Sequence, residues 1–308
     1  MTERVRIGTR GSPLALRQAE LVAAGLRRAW PGLAVELVVI RTSGDRLAQA
    51  HLAEVGGKGL FVKEIEEALL AGRVEVAVHS LKDLPSGTPP GLALAAFPPR
   101  EEPRDLLVTG RAAAVAALPA AARVGTSSPR RRVQLLASRP DLAVEPIRGN
   151  VETRLRKLDE GAYDAIVLAA AGLRRLGIER ADAALLRPDE MLPAVGQGTL
   201  AIQIRLDDAG TARLVAPLDD APTRAATEAE RTFLAAMGGT CTTALAAHAW
   251  PEDGRLRLSA FVATPDGRRA LRHGETQREG TPAELGQRVA DRMLAEGAAA
   301  IIAAGQAA

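Results

Sequence analysis

The sequence predicts an α/β protein with two parallel-sheet lobes of similar design and a small C-terminal α+β domain. Three observations predict it. Strand-like and helix-like patterns alternate from Val5 to Ala169, which is the signature of βαβ units and a parallel sheet. One local unit occurs twice, as Arg6-Ile7-Gly8-Thr9-Arg10-Gly11-Ser12-Pro13 and as Arg123-Val124-Gly125-Thr126-Ser127-Ser128-Pro129; each reads as a strand, a Gly-Thr turn and a Ser-Pro helix start. Finally, 308 residues with 47% apolar content exceed what a single core usually holds.

In chain order, residues 5–9 form a short strand, and Pro13–Ala29 has helical periodicity. Residues 34–41 are apolar and β-branched, so they read as a strand. The glycine-rich stretch 43–59 reads as a long loop, and long loops inside compact domains often serve function. A helix over 60–71 stops at Gly72, and 74–78 is a strand. Pro85, Pro89, Pro90, Pro98, Pro99 and Pro103 then crowd one segment, and 97–104 is read as a crossover between lobes. The pattern restarts with a strand at 123–126, a helix at Pro129–Ser138, a strand at 142–147, a helix at 151–160 and a strand at 164–169. Residues 199–205 read as a strand returning to the first lobe. The last region holds a helix at 222–236, strands near 244–249, 255–263 and 268–276, and a helix from Thr281. Domains are therefore expected at 1–98 with 199–217, at 104–196 and at 219–308.

Composition narrows the function classes. Aromatic residues are only 2%, so the cores must be aliphatic and base-stacking platforms for nucleic acid are lacking. The net charge of +3 does not by itself suggest nucleic acid. No apolar run approaches the roughly 18 residues that span a bilayer. Met1 to Arg10 carries charges and no apolar core, so no signal peptide is expected. One cysteine excludes an internal disulfide, in keeping with an expected cytoplasmic setting. Of the four lysines, Lys58, Lys63 and Lys82 fall in one stretch, and nearly every other base is arginine, whose planar fork suits carboxylates and phosphates.

Several motifs carry chemistry. Both Ser-Pro helix starts, at Ser12 and Ser128, offer free backbone N–H groups and the positive end of a helix dipole. Arg130, Arg131 and Arg132 follow the second start, where cations oppose the dipole; a bound polyanion explains that placement better than a solvated face. Arg148-Gly149-Asn150 and Arg154 add bases after another strand, where open α/β sheets bind ligands. Gly56-Gly57-Lys58-Gly59 lacks the spacing of a nucleotide-binding loop. In His79-Ser80-Leu81-Lys82-Asp83, Lys82 is expected to keep Asp83 ionised, ready to stabilise a cation. Cys241 lies in Gly238-Gly239-Thr240-Cys241-Thr242-Thr243, whose glycines suggest an exposed, reactive thiol rather than a small buried residue.

Read without further help, these residues fit either an enzyme or a solute-binding protein. Their combination resembles the porphobilinogen deaminase (hydroxymethylbilane synthase) family. The resemblance rests on Thr9-Arg10-Gly11-Ser12-Pro13-Leu14-Ala15-Leu16, Val55-Gly56-Gly57-Lys58-Gly59-Leu60-Phe61-Val62-Lys63-Glu64 and Ala77-Val78-His79-Ser80-Leu81-Lys82-Asp83. It continues through Val124-Gly125-Thr126-Ser127-Ser128, Arg148-Gly149-Asn150, Tyr163-Asp164-Ala165-Ile166 and Leu192-Pro193-Ala194-Val195-Gly196-Gln197-Gly198, covering about residues 4 to 245. Thr240 directly before Cys241, Gly11 and Pro129 depart from the family's usual residues.

The resemblance implies two lobes like those of periplasmic binding proteins and a third domain carrying a cysteine. It implies a dipyrromethane cofactor bound to Cys241 through a thioether, porphobilinogen as substrate, and release of hydroxymethylbilane. Asp83 would be the catalytic carboxylate. Lys58, Phe61, Lys82, Asp83, Ser128, Arg130 and Arg131 would bind the cofactor. Arg10, Ser12, Arg148, Arg154 and Arg175 would bind the substrate's carboxylates. No metal, nucleic acid or membrane is implied, and a monomer is expected.

Overall fold

The structure, a computed structural model, describes residues 4–43, 62–110, 114–238 and 243–306. The described residues are mixed α/β, with two five-stranded sheets and a third sheet of three strands. It divides into two compact units, Met1–Glu101 with Thr199–Arg224 and Glu102–Gly198 with Ala225–Ala308.

The first unit holds β1 (Arg4–Thr9), β2 (Ala34–Val39), β3 (Val76–Ser80), β4 (Leu92–Ala96) and β10 (Leu200–Arg205), in the order β2-β1-β3-β10-β4. β1 pairs parallel with β2 and β3, and β10 runs antiparallel to β3 and β4. Helix α1 (Pro13–Ala29) buries Ala19, Val22, Ala23 and Leu26, a helical stripe, against Val5, Ile7, Val76, Val78 and Ile202. Ala77 points the other way, toward Ile65, Ala68 and Leu69 of α2 (Lys63–Leu70). Covered on both faces, β3 carries a continuous apolar run rather than an alternating one.

The second unit repeats the design. β5 (Asp105–Val108), β6 (Arg123–Gly125), β7 (Ala143–Glu145), β8 (Ala165–Ala169) and β9 (Ala183–Leu185) form a sheet in the order β7-β6-β8-β5-β9. β6 is parallel to β7 and β8, and β5 is antiparallel to β8 and β9. Strand for strand, β6, β7, β8, β5 and β9 take the places of β1, β2, β3, β10 and β4. In each lobe the antiparallel fourth strand is the one that follows a passage of the chain between units. Helices α3 (Pro129–Ser138), α4 (Val151–Asp159) and α5 (Ala170–Leu176) follow β6, β7 and β8.

The second unit also contains the antiparallel sheet of β11 (Leu245–Glu252), β12 (Arg255–Ala263) and β13 (Ala270–Thr276). One face packs on α7 (Ala221–Ala236), α8 (Pro282–Ala295) and α9 (Ala298–Gln306) through Phe233, Leu285, Val289, Met293 and Ile301. Gly286 lets α7 and α8 touch, since a Cβ there would lie 2.3 Å from the Ala229 carbonyl oxygen. The other face, with Ala246, Phe261 and Ala263, packs on Val133 of α3 and on Leu192. Glu230, fully buried, accepts hydrogen bonds from the Gly196 amide (2.6 Å) and the Ala249 amide (2.7 Å), joining α7 to β11 and to the 192–198 loop. As the low aromatic content implies, the described buried apolar residues are aliphatic or methionine apart from Phe97, Phe233 and Phe261.

Some elements differ from the sequence expectation. The third strand begins at Val76 rather than at residue 74 and includes His79 and Ser80. β4 and β5 lie in or beside the proline-rich segment that the sequence marks as a break, because proline is tolerated between short strands. The short elements β9, α5 and α6 (Ala209–Val215) are too brief for a period to register.

Candidate active site

In the first unit, the carboxyl end of β1 turns tightly into α1. Gly8 keeps the approach close there, since a Cβ would lie 3.1 Å from both Ile40 Cδ1 and Val74 Cγ2 and these side chains would have to give. Buried Thr9 donates its hydroxyl to the Ala15 carbonyl (3.1 Å), and Ser12 caps α1 by accepting from the Ala15 amide (3.3 Å). Arg10 and Ser12 sit half-buried on this turn. Beside it, β3 ends at Ser80, which is hydrogen-bonded to buried Gln18 of α1 at 2.8 Å.

Lys82 and Asp83 then occupy a single 3-10 turn, Leu81–Asp83, fastened by the Leu81 amide to the Thr199 carbonyl at 3.0 Å. Asp83 is exposed, and its carboxylate meets no donor or cation among the described residues. The expected support from Lys82 is therefore not a direct ion pair; adjacent side chains on a helical turn diverge. Just inside, buried His79 donates from Nε2 to Gln203 Oε1 (3.0 Å), and Gln203 Nε2 donates to Glu66 Oε1 (3.0 Å). Burial pushes the His79 imidazole down to about 4, so it is neutral at pH 7.

In the second unit, β6 leads into the matching turn. A Cβ on Gly125 would meet Tyr163 Cδ1 at 3.0 Å, and Ser128 caps α3, accepting from the Arg131 amide at 3.5 Å. The arginine run here is neither a solvated face nor an open cluster. Arg130 and Arg131 are buried, and both bond to Asp105, which is fully buried at the start of β5. Asp105 Oδ2 accepts from Arg130 Nη1 (2.8 Å); Oδ1 accepts from Arg131 Nε (3.1 Å) and Nη2 (2.7 Å) and from Gln197 Nε2 (2.9 Å). Burial alone would raise the Asp105 carboxyl's pKa, but the charges and hydrogen bonds of Arg130 and Arg131 hold it far below the usual carboxylate range. Arg132 turns back to donate to the Val144 carbonyl at 2.5 Å.

The next strand, β7, leads to Arg148, Gly149 and Asn150. Gly149 has φ +115°, and a Cβ there would lie 2.6 Å from Thr153 Cγ2, so only glycine fits. Asn150 caps α4, accepting from the Thr153 amide (2.9 Å). Arg154 Nε donates to the Gly149 carbonyl (2.8 Å), which holds half-buried Arg154, in the first turn of α4, against the loop that carries exposed Arg148. Arg175, at the end of α5, donates to the Gly198 carbonyl (2.6 Å).

Thus Ser128, Arg130 and Arg131 share one turn, Arg148 and Arg154 flank the start of α4, and Arg10, Ser12, Lys82 and Asp83 follow the adjacent strands β1 and β3. Cys241, Lys58 and Phe61 lie outside the described residues. Asp105 escaped the sequence reading because it is 25 residues from Arg130. Gln197, though inside a quoted motif, carried no sign of its bond to Asp105.

Residues 5–213 match the family profile described as porphobilinogen deaminase, dipyromethane cofactor binding domain, and residues 225–295 match porphobilinogen deaminase, C-terminal domain. Relatives named porphobilinogen deaminase are 50% identical over 306 residues in Syntrophobacter fumaroxidans, covering 98% of both chains. The Acidithiobacillus ferrooxidans relative is 53% identical over 302 residues, again covering 98% of both. The Roseiflexus sp. relative is 50% identical over 305 residues, covering 98% of this chain and 100% of its own. Solved structures match more distantly: the methionine-binding protein MetQ is 13% identical with a TM-score of 0.44 over 70% of this chain and 89% of its own. With both family profiles matched in order along the sequence, the chain belongs to the porphobilinogen deaminase family of transferases and carries that family's dipyrromethane cofactor-binding domain.

Proposed function

We propose that this chain condenses four porphobilinogen units, with loss of ammonia at each addition, and releases hydroxymethylbilane by hydrolysis. The observation that carries this reading is the buried Arg130–Arg131 pair at the start of α3, which holds one more positive charge than Asp105 supplies in return. A buried excess charge at a helix start calls for an anion, and porphobilinogen carries two carboxylates. Bound dipyrromethane would supply the primer for the first addition. Its carboxylates fit Ser128, Arg130 and Arg131, and the family resemblance adds Lys82, Lys58 and Phe61 as cofactor-binding residues and Cys241 as the thioether anchor. Arg10, Ser12, Arg148, Arg154 and Arg175 receive the carboxylates of incoming units. Loss of ammonia from the substrate's aminomethyl group leaves a cation conjugated to the pyrrole nitrogen. Asp83, exposed and unengaged among the described residues, stabilises that cation and accepts a proton after coupling.

The three domains of this reading are residues 1–98 with 199–217, 104–196 and 219–308, supported by the three sheets. No helix of the described residues is long and apolar enough to cross a membrane. The reading also has the chain working as a monomer in the cytoplasm without nucleic acid. Intact-mass measurement of the purified full chain tests the assignment of the anchor. It should exceed the sequence mass by a covalent dipyrromethane, and Cys241→Ala should show the bare mass and no turnover. An active Cys241→Ala protein overturns the anchor.

A further inference from the structure

Two guanidinium groups and one carboxylate are buried together in the second unit, and the way they share hydrogen bonds is unequal. Arg131 engages all three of its nitrogens: Nε and Nη2 on Asp105, and Nη1 on the Val167 carbonyl at 2.9 Å. Arg130 engages only Nη1, on Asp105 Oδ2 (2.8 Å) and on the Leu192 carbonyl (2.7 Å). Its Nε and Nη2 edge meets no acceptor among the described residues, although the residue is only 4% exposed. Asp105 is saturated by four donors, three from the two arginines and one from Gln197. Gln197 Nε2 also donates to the Pro103 carbonyl (2.7 Å), so the strand carrying Asp105 is fastened to the 192–198 loop. Gln134 fastens that loop to α3, accepting from the Leu192 amide (2.8 Å).

The arrangement has a consequence for charge. Two buried like charges side by side repel, and each would draw its own counter-ion. With Asp105 between them, a single net positive charge remains, and the donors left over lie along one edge of Arg130. That edge is planar and two-pronged, the geometry that pairs with a carboxylate. We propose that Asp105 is a positioning residue: it neutralises one arginine, holds both guanidinium planes, and leaves the Nε–Nη2 edge of Arg130 aimed to take one carboxylate of the substrate class. This rests on the reading that Arg130 binds carboxylates, and goes beyond it by naming the group that fixes its aim and charge.

The test measures the affinity of a free dipyrromethane, which carries the carboxylates of two substrate units, by calorimetry in the full-length chain carrying Cys241→Ala, which leaves the cofactor's own subsite open and isolates binding from chain assembly. Arg130→Leu should weaken binding at least tenfold. Asp105→Asn, which keeps shape but leaves two buried positive charges with an amide pointing at one of them, should also weaken it at least tenfold. Leu107→Ala, a core change in the same strand, serves as the control for lost stability and should stay within twofold despite a lower melting temperature. If Asp105→Asn does not fold, the charge-balanced pair Asp105→Asn with Arg131→Met replaces it; net charge is kept but the aim is lost, so a tenfold loss is again expected. If Arg130→Leu weakens binding while Asp105→Asn, or the balanced pair, binds like the parent, the positioning role is wrong and the arginine reading survives. Should Arg130→Leu itself bind normally, the arginine reading falls and the inference falls with it.

Discussion

Asp83 and Asp105 are the same residue type in opposite settings. Asp105 is fully buried and accepts four hydrogen bonds, so its charge is consumed in structure. Asp83 is exposed at the end of a 3-10 turn and engages nothing among the described residues, so its charge is available to a ligand. A carboxylate facing a developing cation stabilises the transition state more than the neutral ground state. Asp83→Asn keeps shape and removes charge, so turnover should fall at least roughly a hundredfold. Asp83→Glu keeps the charge, displaced by one methylene, and should retain part of the activity. Steady-state kinetics decide: a raised KM with kcat intact would make Asp83 a binding group instead. Asp83 was singled out in the sequence because it follows the end of a strand inside a specific motif. Asp105 was not, because its partners come from α3 and the 192–198 loop, and only packing brings them together.

The element that repeats is the strand–turn–helix start, and it was legible because each part is a local rule. A tight glycine precedes a buried threonine, and a serine cap precedes a proline at the first helical turn. Removing either cap by Ser12→Ala or Ser128→Ala would cost on the order of 1 kcal/mol. A stricter constraint sits at the start of α4. Gly149 combines a positive φ with a side chain 2.6 Å from where a Cβ would be. Gly149→Ala should therefore destabilise the chain by about 1–3 kcal/mol, because the backbone must leave its conformation or Thr153 must move. The same shift would displace Arg148 and Arg154, so KM for porphobilinogen should rise with stability loss. Urea unfolding and steady-state kinetics check both; an unchanged unfolding midpoint would mean that the loop absorbs the methyl group. At this scale the sequence marked the arginine run without its partner. Helix position alone marks three cations as unfavourable, but it does not reveal that one carboxylate from β5 pairs with two of them and leaves a single net positive charge.

Across the molecule, acid sensitivity should begin in the first unit. His79 is buried and held neutral, with its folded value pushed from the usual 6.5 to about 4. The unfolded chain binds a proton between those values while the native chain does not, so stability rises with pH in that window. The contribution is fully present above pH 6.5 and lost as pH falls toward 4; it amounts to about 3 kcal/mol in all, with about 2 kcal/mol gone by pH 5. Asp105 in the second unit has the opposite history, a carboxyl depressed by its arginines, and its contribution is lost only at more acid pH. Denaturation of the full chain at pH 7 and pH 5 should show the loss, and His79→Gln should flatten it. Equal slopes for both proteins would assign the acid sensitivity to other groups.

Taken alone, the sequence determined the α/β class, the internal repeat, the aliphatic character of the cores and the residues that follow the strand ends. All of these depend on neighbours within a few positions, where period, capping and turn chemistry are read directly. The tertiary structure decided that β10 runs antiparallel between β3 and β4, that β5 and β10 occupy equivalent antiparallel places, and that Asp105 stands between Arg130 and Arg131. Those facts depend on which distant segments meet once apolar faces are buried, and on which buried charges must then find partners, and neither leaves a trace in local pattern.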